Sequence, residues 1–418
     1  MSAPVEVDVA IAGGGMVGAS LALALQGSGL AVALIEGHAP DAAAQPSFDE
    51  RTTAIGNGSR AVFEALGAWP RMRAEAGVIR AIHVSDAGRF GFARLVAAEQ
   101  GLEAFGYVLP NRAIGRALWQ GLAATPQLAL YMPARLVEAR SLASHASLAI
   151  ERGDGTRATV HAKLLVAADG AQSTVRAALG LPSHVEDYGQ VAVVANLAAD
   201  RPHDGTAYER FTPVGPLALL PLADGSYTVV WARAPDDAAR ALAMPEAEFL
   251  AGLQRRFGWR AGRFVRVGRR HGYPLALTRS DATHAPRAVL IGNAAQALHP
   301  VAGQGFNLGL RDAATLAECL VEARRGGGDP GGEALLARFA ALRAADRSGV
   351  TRFTDGLVKL FRDERPGVGA LRDLGLLLFD LAPPAKRALA RVSWGFAGRL
   401  PRLARGLDLA DRSGTPPP

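Results

Sequence analysis

A glycine-rich turn near the amino terminus has the residue types and spacing that bind the phosphates of a dinucleotide. The run Gly13-Gly14-Gly15-Met16-Val17-Gly18 follows residues 7–12, a segment that is apolar except for Asp8 and is typical of a buried strand. In such a run Gly13 permits a tight turn, Gly15 lets the backbone approach a pyrophosphate, and Gly18 allows a helix to pack closely on the strand. Glu36 ends the next apolar strand, where its carboxylate can accept hydrogen bonds from ribose hydroxyls.

Two later segments decide which nucleotide the turn would bind, since the first motif fits a nicotinamide dehydrogenase equally well. Residues 164–176 form a predicted strand that leads into Asp169-Gly170 and then a helix. Residues 289–312 form a predicted strand, a polar turn, a loop rich in proline and glycine, and a helix beginning near Asn307. The N–H groups and dipole of that helix favour an anion at the loop.

These three motifs resemble those of the class A FAD-dependent aromatic hydroxylases, of the p-hydroxybenzoate hydroxylase type. Within that family the chain is most similar to the ubiquinone-biosynthesis branch, and there to the 2-polyprenyl-6-methoxyphenol hydroxylases. The resemblance covers nearly the whole chain and is most specific over residues 289–312. It implies that the first motif binds the ADP part of FAD and that Asp169 lies near the pyrophosphate. It further implies that Asn293 binds the ribityl chain, that the isoalloxazine lies along residues 300–307, and that Arg51 and Arg112 lie near the flavin. The cofactor-binding residues implied are Gly13, Gly15, Gly18, Glu36, Arg51, Arg112, Asp169, Asn293, Pro300, Gly303, Gln304, Gly305 and Asn307.

The chemistry implied by this resemblance is hydroxylation of a phenol ring. FAD is reduced by NAD(P)H or an external electron donor, O2 adds at flavin C4a, and the resulting hydroperoxide delivers a hydroxyl group to the ring. The substrate implied is a polyprenylated phenol of ubiquinone biosynthesis, and 2-polyprenyl-6-methoxyphenol would give the benzoquinol. Hydroxylation at another ring position, or of another phenol, is an alternative. An alternative of another class is a non-catalytic, flavin-bound member of a biosynthetic assembly.

One position departs from the pattern of the family. Most relatives carry aspartate where this chain has Asn293. An amide oxygen still accepts a hydrogen bond from a ribityl hydroxyl, but the charge-assisted part of that bond is lost. FAD is therefore expected to bind, but less tightly.

The substrate side of the site is less well marked in the sequence. His299 is the only histidine in the flavin motifs and is a weak catalytic candidate, because a role in packing fits it better. Strand alternation would direct some side chains of the predicted substrate sheet into a pocket, although a core or surface position fits each equally well. The residues concerned are Tyr208, Arg210, Tyr227 and Trp231. The sequence indicates neither a catalytic base nor a metal-ligand cluster.

The elements that must position these residues predict an α/β fold. A Rossmann-like FAD-binding domain is predicted over residues 1–70, 100–180 and 281–345. Short apolar strands separated by proline, glycine and an Asp-Gly turn predict an antiparallel β-sheet substrate domain, inserted at residues 71–99 and 181–280. A helical segment follows at residues 346–418.

Composition limits the remaining possibilities. With 49% hydrophobic and 20% charged residues the chain is globular rather than disordered. The net charge of +7 is dispersed, without a basic block of five residues, so no nucleic-acid partner is predicted. The only cysteine, Cys319, suits a reducing cytoplasm and is interpreted as a packed small side chain.

Residues 381–407 contain six basic residues, no acidic residue, and interleaved leucines and aromatics. Two interpretations of this segment stand: peripheral contact with the anionic inner membrane, or a helix that caps the domain. A multi-enzyme ubiquinone assembly is a further candidate partner, suggested by the resemblance.

Overall fold

The computed structural model describes residues 3–39, 51–125, 127–299, 303–362, 365, 368–380, 382 and 399–409. Its strands are β1 (Val5–Ala12), β2 (Val32–Ile35), β3 (Thr52–Gly56), β4 (Gly77–Ile79), β5 (Ala81–Asp86), β6 (Phe92–Val96), β7 (Gly106–Pro110), β8 (Leu128–Tyr131), β9 (Ala134–Ser141), β10 (Ala146–Arg152), β11 (Arg157–Ala167), β12 (Ser183–Ala199), β13 (Thr206–Thr212), β14 (Gly215–Pro221), β15 (Tyr227–Arg233), β16 (Phe264–Val267), β17 (His271–Ser280), β18 (His284–Ala285), β19 (Ala288–Leu290) and β20 (Gln296–Ala297). Its α-helices are α1 (Met16–Ala24), α2 (Asn57–Ala65), α3 (Trp69–Met72), α4 (Asn111–Ala123), α5 (Thr174–Ala178), α6 (Pro235–Ala243), α7 (Glu246–Phe257), α8 (Gln304–Arg325), α9 (Glu333–Arg362) and α10 (Val368–Asp380).

The first sheet has the order β18-β19-β11-β1-β2-β8, and β19, β11, β1, β2 and β8 run parallel. Alternate side chains of β1 enter two separate cores, with Val9 and Ile11 on one face and Ala10 and Ala12 on the other. Both faces are therefore covered, which explains why residues 9–12 of β1 and 164–167 of β11 are apolar without alternation. The hairpin β9–β10 extends the sheet through β11.

The second sheet has the order β20-β17-β12-β15-β14-β13-β5-β6 and is antiparallel except where β13 pairs with β5. One face packs against α6 and α7, where Leu217, Val229 and Trp231 meet Phe249 and Leu253 in a common core. Residues of the opposite face border the same cavity as residues of the first sheet. A third, small sheet has the order β3-β7-β4.

This arrangement confirms the predicted fold class. The predicted boundary between residues 345 and 346 falls inside α9, because the helix runs without interruption from Glu333 to Arg362. The other domain boundaries stay predictions. Within the parts of the chain that the structure describes, no helix is both long and apolar enough to cross a membrane.

Candidate functional site

The glycine turn between β1 and α1 leaves no room for side chains. Gly13 has φ +101°, and a Cβ there would lie 2.6 Å from the carbonyl oxygen of Ala168. A Cβ at Gly18 would lie 1.9 Å from the carbonyl oxygen of Gly13, so glycine is needed for the helix to pack on the turn. Gly15 caps α1 and, like Gly13, lines a cavity of about 940 Å³. The first N–H groups of α1 therefore face a space that fits a pyrophosphate.

Glu36 lies in the wall of the same cavity, where it braces the turn. Its Oε2 accepts a hydrogen bond from the Gly14 N–H at 2.6 Å, and its Oε1 accepts one from the His38 N–H at 2.9 Å. A carboxylate has about four lone-pair positions, so Glu36 retains capacity to accept from a ribose hydroxyl.

Asp169 borders the cavity from the end of β11. Its Oδ2 accepts from the Thr174 hydroxyl at 3.0 Å and from the Val175 N–H at 3.1 Å. Its Oδ1 is buried and has no hydrogen-bond partner among the described residues. Because an unsatisfied buried acceptor is costly, this oxygen fits a site completed by a hydroxyl or water of the bound cofactor.

The third motif supplies the opposite wall. Asn293 sits in a short 3₁₀ turn and is exposed within the cavity, where its amide is available to a ligand. Gly303, with φ +60°, is the N-cap of α8 and lines the cavity together with Gly305. Pro300 lies outside the described residues. The helix begins at Gln304 rather than at Asn307, so it starts one turn earlier than the sequence predicts.

Asn307 holds this loop in place through its own hydrogen bonds. Its Oδ1 accepts from the Gly56 N–H at 2.9 Å and from the Ser59 hydroxyl at 2.6 Å. Its amide donates to the carbonyl oxygens of Ala54 at 2.9 Å and Gly303 at 2.7 Å. The side chain thus positions the loop against β3. Gln304 is also buried and borders a second cavity.

The two predicted arginines differ in position. Arg51 lines the first cavity, and its guanidinium carbon lies 4.7 Å from the centroid of the Tyr273 ring. Arg112 is not among the lining residues, because its guanidinium pairs with the Glu75 carboxylate at 2.7 Å. Burial acts to raise the pKa of Glu75, but its contacts with Arg112 and Arg116 together lower it. A role for Arg112 near the flavin stays a prediction.

The predicted substrate residues lie mainly on the far face of their sheet. Arg210, Trp231 and Tyr227 belong to the face that packs toward α6 and α7, and they do not line the cavity. Tyr208 borders the cavity, but its ring packs against Phe257 on the far face at a centroid distance of 5.4 Å. The cavity wall that this sheet provides is made of the alternate residues of the same strands. These are Ala207, Glu209, Pro216, Ala218, Leu220, Val230 and Ala232.

His299 does line the cavity and is buried. Its ring stands nearly perpendicular to the ring of Tyr188, with 5.0 Å between the centroids. This contact fits the packing role that the sequence favours, so a catalytic role for His299 stays a prediction.

A second cavity of about 610 Å³ adjoins the first, and its wall is almost entirely apolar. Glu209, Ala54, Ile79 and Ile82 border both cavities, so these residues mark the junction. The far wall comes from α9 and α10. It consists of Phe353, Leu357, Leu360, Phe361, Val368, Leu371, Arg372, Gly375, Leu376 and Phe379.

Glu209 is the functional candidate that the sequence analysis missed. It lies partly buried at the junction, and its removal from water raises its pKa to about 7. Strand alternation is the signal that could have identified Glu209. Ala207 and Phe211 are apolar residues on one face of β13, and Glu209 is the charged residue between them on that face.

The comparisons with known proteins agree with this geometry. The model of a family described as an FAD binding domain matches residues 6–354. The ubiquinone hydroxylase UbiL of Rhodospirillum rubrum is 38% identical over 412 residues, covering 98% of this chain and 95% of the relative. The chain belongs to the ubiquinone-hydroxylase branch of the FAD-dependent monooxygenases. This confirms the predicted family, with FAD as cofactor and O2 and NAD(P)H as the usual co-substrates of the class.

Other relatives of this hydroxylase carry different names. The 3-demethoxyubiquinol 3-hydroxylase of Escherichia coli is 32% identical, covering 93% of this chain and 98% of the relative. The crystal structure of p-nitrophenol 4-monooxygenase PnpA from Pseudomonas putida has a TM-score of 0.78 at 21% identity, covering 94% of this chain and 99% of that one. That likeness supports the fold.

Proposed function

We propose that this hydroxylase adds one oxygen atom of O2 to the ring of a polyprenylated phenol in ubiquinone biosynthesis, with 2-polyprenyl-6-methoxyphenol as the substrate. The observation that carries the proposal is the pair of adjoining cavities. The first is lined by the nucleotide-binding motifs, and the second is apolar and about 610 Å³ in volume. A phenol ring alone would leave this second cavity, the apolar chamber, empty, whereas an isoprenoid chain would bury its apolar surface there.

Different residues of the chain would bind different parts of FAD. The α1 N-terminus and Glu36 would hold the ADP part of FAD, and Asp169 and Asn293 would hold the groups nearer the flavin. FAD, when bound and reduced by NAD(P)H or another donor, supplies the oxygen chemistry that side chains do not provide. The apolar walls at the junction would exclude water from the reacting ring.

Turnover of purified protein with defined phenols tests this proposal. The protein is loaded with FAD and supplied with NADH or NADPH, or with a chemical reductant, and with a short-chain 2-prenyl-6-methoxyphenol in air. The expected product has gained one oxygen atom by mass spectrometry, and NMR of the product gives the ring position. The same phenol without its prenyl group is the matched control, and it should give a much higher KM. Flavin reduction and reoxidation with no hydroxylated product from any prenylated phenol would refute the proposal and favour a non-catalytic, flavin-bound role.

The ring position has an alternative within the same proposal, since the relatives are named for different steps. Hydroxylation at another ring carbon, or of another phenol, uses the same cavities. Product analysis with a panel of prenylated phenols that differ in their methoxy substitution distinguishes these possibilities.

We also propose that the substrate enters from a membrane surface along α10, with the enzyme cytoplasmic and peripheral on the inner membrane. Leu371, Leu374 and Leu378 are 69%, 52% and 58% exposed, and Leu371 also borders the second cavity. Helix α10 is fixed at the sheet edge by hydrogen bonds from the Gly91 N–H to Asp373 and from the Arg94 N–H to Asp380. Its leucines therefore stay outward, at the side of the apolar chamber, where lipid can cover them.

The carboxyl-terminal segment supports this only in part. Residues 383–398, with Lys386, Arg387 and Arg391, lie outside the described residues. Residues 399–409 pack on the FAD-binding side: Arg399 pairs with Glu318 at 2.8 Å, and Leu403 is 4% exposed. These contacts support the interpretation of this end of the segment as a cap. The multi-enzyme ubiquinone assembly that the family resemblance suggests as a partner stays a proposal.

Liposome flotation tests the membrane proposal. The double variant Leu374→Glu and Leu378→Glu should lose recovery with anionic vesicles, because two charges would enter the interface. The control variant Leu142→Glu alters a leucine that is 44% exposed in the β9–β10 turn, and it should float as the wild type does. Equal recovery of the wild type and the double variant would exclude α10 as the contact.

A further inference from the structure

Glu209 is an ionisable residue surrounded by apolar side chains on the face of the second sheet that borders the cavity. It lies opposite Ala218 of β14 and Val84 of β5 in the strand register. Side chains directly opposite each other in adjacent strands share a face, so small and branched apolar groups surround the carboxyl on both sides. Among the described residues on this face of β13, β14 and β15 that line the cavity, Glu209 is the one that ionises.

The charged and titratable groups nearby belong to other pairs or to the other face. On the second cavity, Arg372 of α10 pairs with Asp86 of β5 at 3.1 Å. His83, Arg210 and Tyr208 lie on the far face of β5 and β13, and Arg51 and His299 border the first cavity. Elements α8 and α9 present the neutral side chains of Gln304, Asn307, Phe353 and Phe361 to the chamber. Removal from water is accordingly the cause of the raised pKa of Glu209.

We propose that Glu209 is the catalytic base that accepts the proton of the substrate phenol at the junction of the two cavities. The inference rests on the proposed function, because that function places a phenol ring at the mouth of the apolar chamber. An isoprenoid chain in the second cavity and the flavin motifs along the first leave the ring at the residues that border both, and Glu209 is the polar side chain there.

The step is a proton transfer between two oxygens. The phenol O–H bond breaks and an O–H bond forms on the Glu209 carboxylate, while the electron pair stays on the phenolate oxygen. That pair is conjugated with the ring and makes the ortho and para carbons more nucleophilic, as oxygen transfer to the ring requires. No further reactant is consumed, since the proton returns to water when the product leaves.

The environment of Glu209 suits this task. A carboxylate of ordinary pKa is a weak base toward a phenol, whose pKa is about 10. Because the chamber raises the pKa of Glu209 to about 7, its carboxylate is a stronger base and is still about half ionised at neutral pH. The carboxylate form increases as pH rises through this value, so phenol binding and hydroxylation should both strengthen with increasing pH there.

Binding measurements test the proposal independently of turnover. FAD-loaded wild-type protein is titrated with a short-chain prenylated methoxyphenol and with its methyl ether, from about pH 6 to about pH 8. Phenol affinity should rise about tenfold over this range, because a carboxylate accepts a stronger hydrogen bond than a carboxyl group does. The ether has no proton to donate, so its affinity should not change. In Glu209→Gln the phenol should lose its pH dependence, and in Glu209→Asp it should recover part of it.

Turnover supplies the second readout. Glu209→Gln should bind FAD as the wild type does but lose about 100-fold or more in kcat, with a larger share of consumed O2 released as hydrogen peroxide. Glu248→Gln is the matched control, an exposed glutamate on α7 that should leave both measurements unchanged. A phenol affinity in Glu209→Gln that keeps the wild-type pH dependence would overturn the inference. If the wild type binds phenols in this pH-dependent way but hydroxylates none, the proposed function fails while the contact with Glu209 stands.

Discussion

We predict that, of the buried charges, Asp312 contributes most to holding the turn at Gly292 and Asn293 in place. It is fully buried on α8, and its Oδ1 accepts from Arg343 Nε at 2.7 Å. Oδ1 also accepts from Arg347 Nε at 3.3 Å, and Arg347 Nη2 forms an ion pair with Oδ2 at 3.1 Å. Oδ2 accepts from the Gly292 N–H at 3.1 Å. Gly292 begins the turn that carries Asn293 into the cavity. One carboxylate thus pairs with two arginines of α9 and fixes the turn that carries Asn293.

The variant Asp312→Asn keeps the shape of the side chain but removes its charge. Arg343 retains Asp346 at 2.6 Å, but Arg347 is left buried and without its carboxylate. Removing one partner of a buried ion pair costs about 3–5 kcal/mol, because the remaining charge stays desolvated. The free energy of unfolding should fall by about this amount, and FAD should bind more weakly because the Gly292 turn loses its strongest acceptor.

Urea unfolding of the apoprotein measures the first effect, and flavin fluorescence quenching measures the second. The control Glu64→Gln breaks an exposed pair with Arg60, whose N···O distance is 2.9 Å, and it should change the stability by less than about 1 kcal/mol. A loss below about 1 kcal/mol in Asp312→Asn would refute the reasoning, because the network would then be as weak as a surface pair.

Three further predictions concern the cofactor turn and the chamber. Gly13→Ala should purify with little bound FAD, as measured by visible absorbance, because its Cβ would lie 2.6 Å from a carbonyl oxygen. The control Gly349→Ala, whose Cβ lies in open space on α9, should retain FAD. Asn293→Asp should tighten FAD about tenfold in a quenching titration by restoring a charge-assisted hydrogen bond, and unchanged affinity would place the ribityl chain elsewhere. Ala93→Phe fills the apolar chamber, so it should raise KM for a prenylated phenol and leave that of the unprenylated ring unchanged; an equal effect on both would mean that the chain binds elsewhere.

The cofactor half of the site was predictable because its function depends on consecutive residues. A phosphate turn needs glycines at fixed spacing and a helix directly after them, and all of this is local in the chain. The structure places Gly13, Gly15, Glu36, Asp169 and Asn293 around one cavity, as the resemblance implies. The contribution of Asn307 was not predictable, since its partners Gly56 and Ser59 are about 250 positions away.

The wall that the second sheet gives to the cavity was not predictable, because strand pairing decides which face a residue occupies. A shift of one residue moves every side chain of a strand to the other face. The aromatic and arginine residues of β13 and β15 look like pocket residues by type, but Trp231 and Tyr227 pack under α6 and α7. The residues that alternate with them line the cavity, and these are small or apolar except for Glu209. Neither the second cavity nor its α9–α10 wall has any signature in consecutive residues.

If the apolar chamber sets the basicity of Glu209, then the substrate itself should adjust it. A prenyl chain that fills the chamber displaces the water that remains near the carboxyl, and desolvation raises the pKa of an acid further. The pH midpoint of hydroxylation should therefore lie higher with a prenylated phenol than with the same ring lacking the chain, because the hydrogen bond to the phenol is common to both. Rates measured across the range around pH 7 for the two substrates would show this difference, and it should vanish in Glu209→Gln. Equal midpoints would mean that the prenyl chain does not reach the carboxyl group. A lower midpoint for the prenylated phenol would contradict desolvation as the cause, because only an added favourable contact with the carboxylate could produce it.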